Sequence, residues 1–500
     1  MKIKNIIINI FMCIPFAFFV SIAIKGNSNF MYFQNNKDTV INGPYETSNN
    51  SSRYALTESI VVNKSFFLNE ELAKFSSPDL SKINGKYISI FTPGISFAGI
   101  PFYYLGSLIG IPQIGAYLLS TFLSLLNVYL IYLIVRQFKL NSYIALLSGS
   151  IFIFATNAFS YSNSFNQHHA STFLLLLSVL LSFRKVTLTN NIIFGMVYGT
   201  AIIVDIPNIF LILPVLINQI VKNITLNDFK DKYDAKIKII SLGLIIGLLP
   251  LLFVFGWYNY KVTNDPLKLG QVYGRHIYSN SKTEDLVVIA TKKDKKEFKQ
   301  FDSRRILNGL GVLLISKDRG IIMYSPVLIF ALLGMYIISS QNSRFFKIFF
   351  GIIIMNVLLY SLFNDPWGGW AFGTRYLIPS SAIMSILIAF AIERYSKKVL
   401  FTLLFLITMV YSVAVNTLGA ITTQLVPSSI QLPFLPRYVS DNFMYNYSLL
   451  TKGQSTSLIY NTLIKDHIDL SSFVLMLIFL IVLFILSLYF ANIINRKDLK

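Results

Sequence analysis

The sequence predicts an all-helical polytopic membrane protein of about twelve transmembrane helices, with juxtamembrane helices in a large first extracytoplasmic loop. Three observations carry this reading. Of the 500 residues, 54% are hydrophobic and 13% charged, where a soluble domain carries about 25% charged residues. The apolar runs are continuous and about 20 residues long, the length a helix needs to cross a bilayer. The short connections between them alternate between basic and non-basic, as orientation by Lys and Arg requires. A single membrane body over 1–500 is therefore expected, not a string of soluble domains.

The first apolar run is Ile6 to Ile24, behind Lys2 and Lys4. It is long for the apolar part of a signal peptide and has a poor cleavage signal, so it reads as a signal anchor with the N-terminus inside. Residues 25–92 are polar and read as outside. The stretch 93–110 is apolar but broken by Pro93 and Pro101, with Pro112 just beyond. It reads as a juxtamembrane or re-entrant helix, because as a span it would put Arg136 and Lys139 outside.

The remaining spans fall at about 112–135, 142–160, 167–183, 191–206, 208–221, 237–259, 321–339, 346–363, 375–392, 398–419 and 471–491. Arg136 and Lys139, Arg184 and Lys185, Lys222 through Lys238, Arg344 and Lys347, Arg394 with Lys397 and Lys398, and Arg496 through Lys500 then all lie inside. Both termini are cytoplasmic on this reading, and the protein sits in the cell membrane. The outer segments are 25–111, 260–320, 364–374 and 420–470. The second is lysine-rich, but long loops cross regardless of charge.

The net charge of +20 is accounted for by these inner loops, so nucleic acid is not implied. The single cysteine, Cys13, excludes a disulfide framework or a thiolate metal site. The sequence has no phosphate loop, dinucleotide fingerprint, zinc-helix motif or nucleophile elbow. Chemistry, if present, belongs on the outer face.

Four outer stretches concentrate unusual residues. "FNDPWGGWAFGTRY", Phe363 to Tyr376, holds two of the three tryptophans. Interface anchoring alone accounts for Trp367 and Trp370. It does not account for Gly368, Gly369 and Gly373, which permit close backbone approach. Nor does it account for Arg375, which must snorkel or meet an anion at a span's edge. "NSSRYALTESI" at residues 50–60 reads as a short amphipathic helix capped by Asn50 or Ser51, with Ala55, Leu56 and Ile60 on its apolar face. Lys86 precedes the re-entrant stretch, and Lys317, Asp318 and Arg319 precede a span. Together these suggest a basic cavity at the outer leaflet. His168 and His169 stand about 100° apart on a helix, so polar capping explains them better than a shared metal. Asp205, in "VDIPN", reads as a cap for the turn before Pro207.

These stretches, with "WYNYKVTNDPLKLG" and "ISKDRGIIMYSPVLIFALLGM", carry a resemblance. From about residue 44 to residue 392 the chain resembles a GT-C-type integral membrane glycosyltransferase. The likeness is to the archaeal and bacterial branch related to the dolichyl-phosphate-mannose–protein mannosyltransferases. The resemblance implies that a sugar moves from a polyprenyl-phosphate carrier to an acceptor hydroxyl on a protein, lipid or polysaccharide, at the outer face. It implies no nucleic acid partner, leaves the acceptor unknown, and assigns no cofactor, though a divalent metal stays open. Arg53, Lys86, Arg319 and Arg375 would face the donor phosphate. Asn50, Tyr54, His168, Trp367, Gly369, Trp370 and Tyr376 would line the cavity.

The chain departs from the family at one place. The acid that the family carries just before the Arg-Tyr pair is missing; the matching residues are Asn49, Asn50, Ser51 and Ser52. An amide cannot act as a general base. Glu46 is the favoured replacement, then Glu58 and Asp365. Two other classes fit the composition: a lipid-linked saccharide transporter or flippase, and a catalytically inactive relative that binds the carrier. A transporter should show repeats and charges within several spans; no repeat is found, and apart from Asp205, near an edge, the spans lack internal charges. Asn50 favours the inactive relative.

Overall fold

The computed structural model describes residues 14–26, 47–229, 232–276, 303–430 and 440–495. Helix α1 occupies residues 14–22. The segment expected to be the first outer loop follows with α2 (Ser48–Val62), α3 (Glu70–Ser76), the hairpin β1 (Leu80–Ile83) and β2 (Lys86–Ser89), and α4 (Gly94–Ser107). The membrane body then runs through α5 (Pro112–Gln137), α6 (Ser142–Phe154), the single turn α7 (Ala158–Tyr161), α8 (His168–Ser182) and α9 (Leu188–Val204). Next come α10 (Asn208–Leu211), α11 (Leu213–Lys222), a second hairpin of β3 (Ile224–Phe229) and β4 (Lys232–Ile237), and α12 (Leu242–Thr263). The second half holds α13 (Ile306–Leu314), α14 (Ile321–Tyr324), α15 (Ala331–Gln341), α16 (Ser343–Ser361), α17 (Ile378–Tyr395), α18 (Val399–Ile421), α19 (Met444–Thr451) and α20 (Leu470–Asn495). Both hairpins are antiparallel.

Among the described residues, α5, α12, α16, α17, α18 and α20 are long and apolar enough to cross a bilayer. With α1 and the shorter apolar helices, every run expected to span carries a helix. The protein is an all-helical, multi-pass membrane protein. Local chemistry sets the starts. Asn141 caps α6 by accepting the Ile144 N–H at 2.9 Å, and Thr187 and Asn342 do the same for α9 and α16. Pro112, Pro214 and Pro379 stand in first turns, where a missing N–H costs nothing.

Three expectations need correcting. Helix α2 begins at Ser48 and is capped by Thr47, not by Asn50 or Ser51. Its polar residues are buried along with its apolar ones, so it is enclosed on most sides and not a surface amphipathic helix. Serines make this possible: Ser52 donates to the Asp79 carbonyl at 2.6 Å, and Ser96 to the Arg53 carbonyl at 2.8 Å. Second, Pro101 sits inside α4 without ending it. The helix has 14 residues, about 21 Å at 1.5 Å per residue, too short for a core of about 30 Å. It lies against the first turns of α5, where a Cβ on Gly106 would come within 2.7 Å of the Gly115 Cα. Third, the span expected at 321–339 opens as two short turns, α14 and Pro326–Phe330, before α15 begins.

The helices pack through small residues, as expected where lipid offers no hydrophobic drive. Gly195 and Gly199 on α9 lie against α12, and Gly243 and Gly247 on α12 lie against α9. A Cβ on Gly247 would lie 2.1 Å from the Ile192 carbonyl oxygen, and one on Gly195 2.2 Å from that of Leu244. Helix α12 is otherwise lipid-facing, with 17% of its span buried against 83% for α17 at the centre. This seam therefore holds it. Gly247→Val is expected to abolish α12 docking and with it monodisperse protein on size exclusion in detergent. Gly256→Ala, whose Cβ would meet Pro266 at an ordinary 3.6 Å, should behave as wild type. Equal behaviour of the two variants would contradict the seam.

The described parts of the loops expected outside are tied to one another. The His276 N–H donates to the Leu80 carbonyl at 2.7 Å, and Arg275 pairs with Asp79 at 3.0 Å. These tie the second outer loop to the first. The Leu458 N–H donates to Ile24 at 2.7 Å and the Ala371 N–H to Val426 at 2.9 Å, which brings the third loop onto α1 and onto the loop after α16. The lysine-rich stretch of the second loop, 291–300, lies outside the described residues.

Candidate active site

The loop between α16 and α17 owes its shape to glycine. Gly368, Gly369 and Gly373 have φ of 71°, 65° and 59°, a region that L side chains avoid. This turn aims the Trp367 and Gly369 carbonyls at Arg319. The Arg319 guanidinium is fully buried, and all five of its N–H directions meet carbonyl oxygens. These belong to Trp367 (3.1 Å), Asp318 (2.8 Å), Asp441 (3.4 Å), Gly369 (3.1 Å) and Val426 (2.9 Å). Arg319 was expected at the donor phosphate. It is instead the pin that joins three outer segments, with no N–H left to offer a ligand.

Arg53 and Arg375 are different. Arg53 is 1% exposed, on α2. It donates through Nη1 to Asn49, whose side-chain oxygen it meets closely, and its Cζ lies 3.9 Å from the Phe91 ring centroid. Burial pulls this guanidinium down to about 10, Asp205 and Asp79 hold it up, and Arg375 pushes it down again. It stays charged at neutral pH. Arg375 lies against Gly368, where a Cβ would come within 3.1 Å of its Nε. Its charge reaches Tyr376 and Asp365. Arg53 Nε, Arg375 Nε and Trp367 Nε1 are buried donors that meet no acceptor among the described residues. Uncompensated buried donors are costly, so three of them on the two loops that cover the site ask for an anionic or polar ligand.

Between the arginines stands Asp205, the C-cap of α9. Its carboxylate accepts from the Gln167 side chain and the Ile206 N–H, and it lies within reach of the charges of both Arg53 and Arg375 without pairing directly with either. It lines a small polar cavity with His168, Tyr360, Tyr376, Asn208 and Asn356. Tyr360 and Tyr376 stack at 4.1 Å with planes 6° apart. The His168 ring meets Tyr161 and Tyr376 edge-on at 5.5 and 6.4 Å, and its Nε2 has no partner among the described residues. His169 is spoken for, with Nε2 on the Ala158 carbonyl at 2.9 Å and Nδ1 facing Asn127 at 3.2 Å.

The remaining expected residues scatter. Glu46 lies outside the described residues. Asn50 occupies the first turn of α2, one turn before Arg53, with its Oδ1 unmatched. Tyr54 is buried beneath it against Phe75 and Tyr103. Glu58 lies on α2, where its charge reaches Tyr103. Lys86 is exposed on the hairpin, 4.5 Å from the Phe67 centroid. Asp365 stands by Arg375 on the same loop. Trp370 is 37% exposed, and Gly369 has open space where a side chain would be. No three His, Cys, Asp or Glu residues among those described converge as metal ligands.

Asp205 is the residue the sequence undervalued. A carboxylate at the end of a 17-residue apolar helix is a functional signal in its own right. Its carboxylate does accept the Ile206 N–H in the turn before Pro207, and the Asp205 main-chain carbonyl accepts the Asn208 N–H at 3.1 Å, so the capping reading accounts for part of its surroundings and not for the nearby arginine charges.

No family model matches this chain, and no curated protein does. Solved structures do match. The crystal structure of ArnT from Cupriavidus metallidurans in the apo state aligns with a TM-score of 0.51 over 98% of this chain and 76% of that one, at 10% identity. The chain has a GT-C-type fold. ArnT from the same organism bound to undecaprenyl phosphate aligns with a TM-score of 0.48, also at 10% identity and with the same coverage. The GT-C likeness spans almost the whole chain, past the part from residue 44 to residue 392 that carries the motifs. It places α2 to α4 and the loop after α16 in one continuous fold.

Proposed function

We propose that this protein transfers a sugar from a polyprenyl-phosphate carrier to an acceptor hydroxyl at the outer face of the membrane, with both termini cytoplasmic. One observation carries the reading. In a GT-C-type fold, two arginines from segments far apart in sequence, Arg53 and Arg375, come close enough to feel each other's charge and that of Asp205, and keep buried N–H groups unmatched. Guanidinium suits a phosphate, since its planar fork bonds two oxygens at once. As the sugar leaves, charge grows on the carrier phosphate, and two fixed guanidinium groups stabilise it in a dry site. The Tyr360–Tyr376 stack and the Trp367 ring offer flat faces for sugar or prenyl chain. No metal enters this account.

Asn50 supports a second reading, in which the protein binds the carrier without transferring sugar. Binding is common to both. Purified protein should bind tritiated undecaprenyl phosphate and release it to unlabelled undecaprenyl phosphate, but not to undecaprenol, which has the same chain and no phosphate. Equal displacement by both would show that the arginines do not read phosphate.

A further inference from the structure

We propose that Asp205, on the hairpin after α9, is the carboxylate that takes the acceptor's proton, in place of the first-loop acid that this chain lacks. This rests on the transfer reading above. The place usually filled by an acid holds Asn50, in the first turn of α2, and its amide cannot accept a proton at neutral pH. The Arg53 that follows one turn later feels the charge of a carboxylate from a different element, Asp205.

The other carboxylates fit less well. Asp79 is held by the Ser48 hydroxyl at 2.7 Å and by Arg275 at 3.0 Å. Glu58 and Asp365 do not line the cavity; Arg53 and Arg375 stand outside its lining too, but their charges reach Asp205 within it. Within the cavity, most polar groups are committed. The Asn208 amide donates to Ser171 at 3.0 Å and to Ala201 at 2.9 Å, and the Asn356 amide to Ser380 at 2.8 Å and to Tyr376 at 3.2 Å. His168 Nε2 is left without a partner among the described residues, beside the Asp205 carboxylate. The cavity, of about 10 Å³, admits one hydroxyl-sized group, which could donate to Asp205 while His168 Nε2 holds its oxygen.

The step balances without a co-reactant. The acceptor O–H bond breaks and its proton passes to Asp205. The oxygen's electron pair forms the new bond to the anomeric carbon. The bond from that carbon to the phosphate oxygen breaks, and its electron pair leaves with the polyprenyl phosphate beside Arg53 and Arg375. Asp205 then returns its proton to water.

Wild type, Asp205→Asn, Asp205→Glu and Glu46→Gln are compared on two readouts. One is conversion of radiolabelled undecaprenyl-phosphate sugars to undecaprenyl phosphate, whichever hydroxyl takes the sugar, water included. The other is binding of tritiated undecaprenyl phosphate. Asp205→Asn is expected to lose at least about 100-fold in turnover. Its carrier binding should be unchanged or tighter, because a negative charge beside the phosphate is gone. Asp205→Glu should recover part of the turnover, and Glu46→Gln should keep it. Wild-type turnover in Asp205→Asn, or loss of carrier binding in step with turnover, overturns this assignment and leaves the transfer reading standing. A wild-type protein that converts no donor overturns the transfer reading itself and this assignment with it.

Discussion

Arg375→Ala is expected to cut donor use about 10- to 150-fold, the equivalent of one charge-assisted bond of roughly 1.5–3 kcal/mol. The loop supports this. Gly368 leaves room for the Arg375 side chain, its Nε is buried without an acceptor, and Asp205 and Asp365 face its charge. Arg375→Lys keeps the charge but loses the fork, so it should fall between alanine and wild type. Inserted protein and its melting temperature should change little, because the main-chain bonds of the loop do not pass through this side chain. Donor affinity and turnover on purified protein are the measurements. Wild-type donor affinity in Arg375→Ala would make this residue a snorkelling anchor only.

A larger effect, on folding, is expected at Arg319. Its guanidinium is the shared donor for carbonyls on four separate stretches, around Asp318, Trp367 and Gly369, Val426 and Asp441. The Val426 oxygen keeps the Ala371 N–H and the Asp318 oxygen keeps the Tyr324 hydroxyl. The rest lose the donor that turns them inward, at roughly 1–3 kcal/mol for each buried acceptor left unmet. Such a sum approaches the whole stability of a typical fold, about 5–15 kcal/mol. Arg319→Ala should therefore give little folded protein. Arg319→Lys should fold but melt roughly 5 °C or more below wild type, since an ammonium cannot reach oxygens arrayed around a plane. A wild-type melting curve for Arg319→Lys would contradict the pinning role.

The contrast between these two arginines explains what could be read from the sequence. Apolar length is a local property, so the spans emerged from hydropathy and loop charge, and α6, α9 and α16 start where Asn141, Thr187 and Asn342 can cap them. The GT-C likeness was legible in the outer motifs for the same reason. Convergence is not local. Arg319 and Arg375 look alike in sequence, each basic and next to a span, and only the fold shows that one is consumed by carbonyls and the other is not. Asp205 was passed over because it lies far along the chain from Arg53, in a turn that also suits a capping role. The glycines of "FNDPWGGWAFGTRY" were read as permitting close approach. Their positive φ values also show a second need, a turn that points carbonyls at Arg319. Helix α2 was placed within a few residues, but its burial on the polar side depends on serine partners from other segments.

The central claim is that sugar leaves a polyprenyl phosphate in this protein's outer cavity. The most direct measurement is the fate of the label when purified wild-type protein in lipid is given radiolabelled undecaprenyl-phosphate sugars, with the corresponding nucleotide sugars in parallel. Label should leave at least one carrier-linked sugar, undecaprenyl phosphate should appear in equal amount, and the nucleotide sugars should stay intact. Intact carrier-linked sugars throughout the panel, or label drawn from a nucleotide sugar, would contradict the claim.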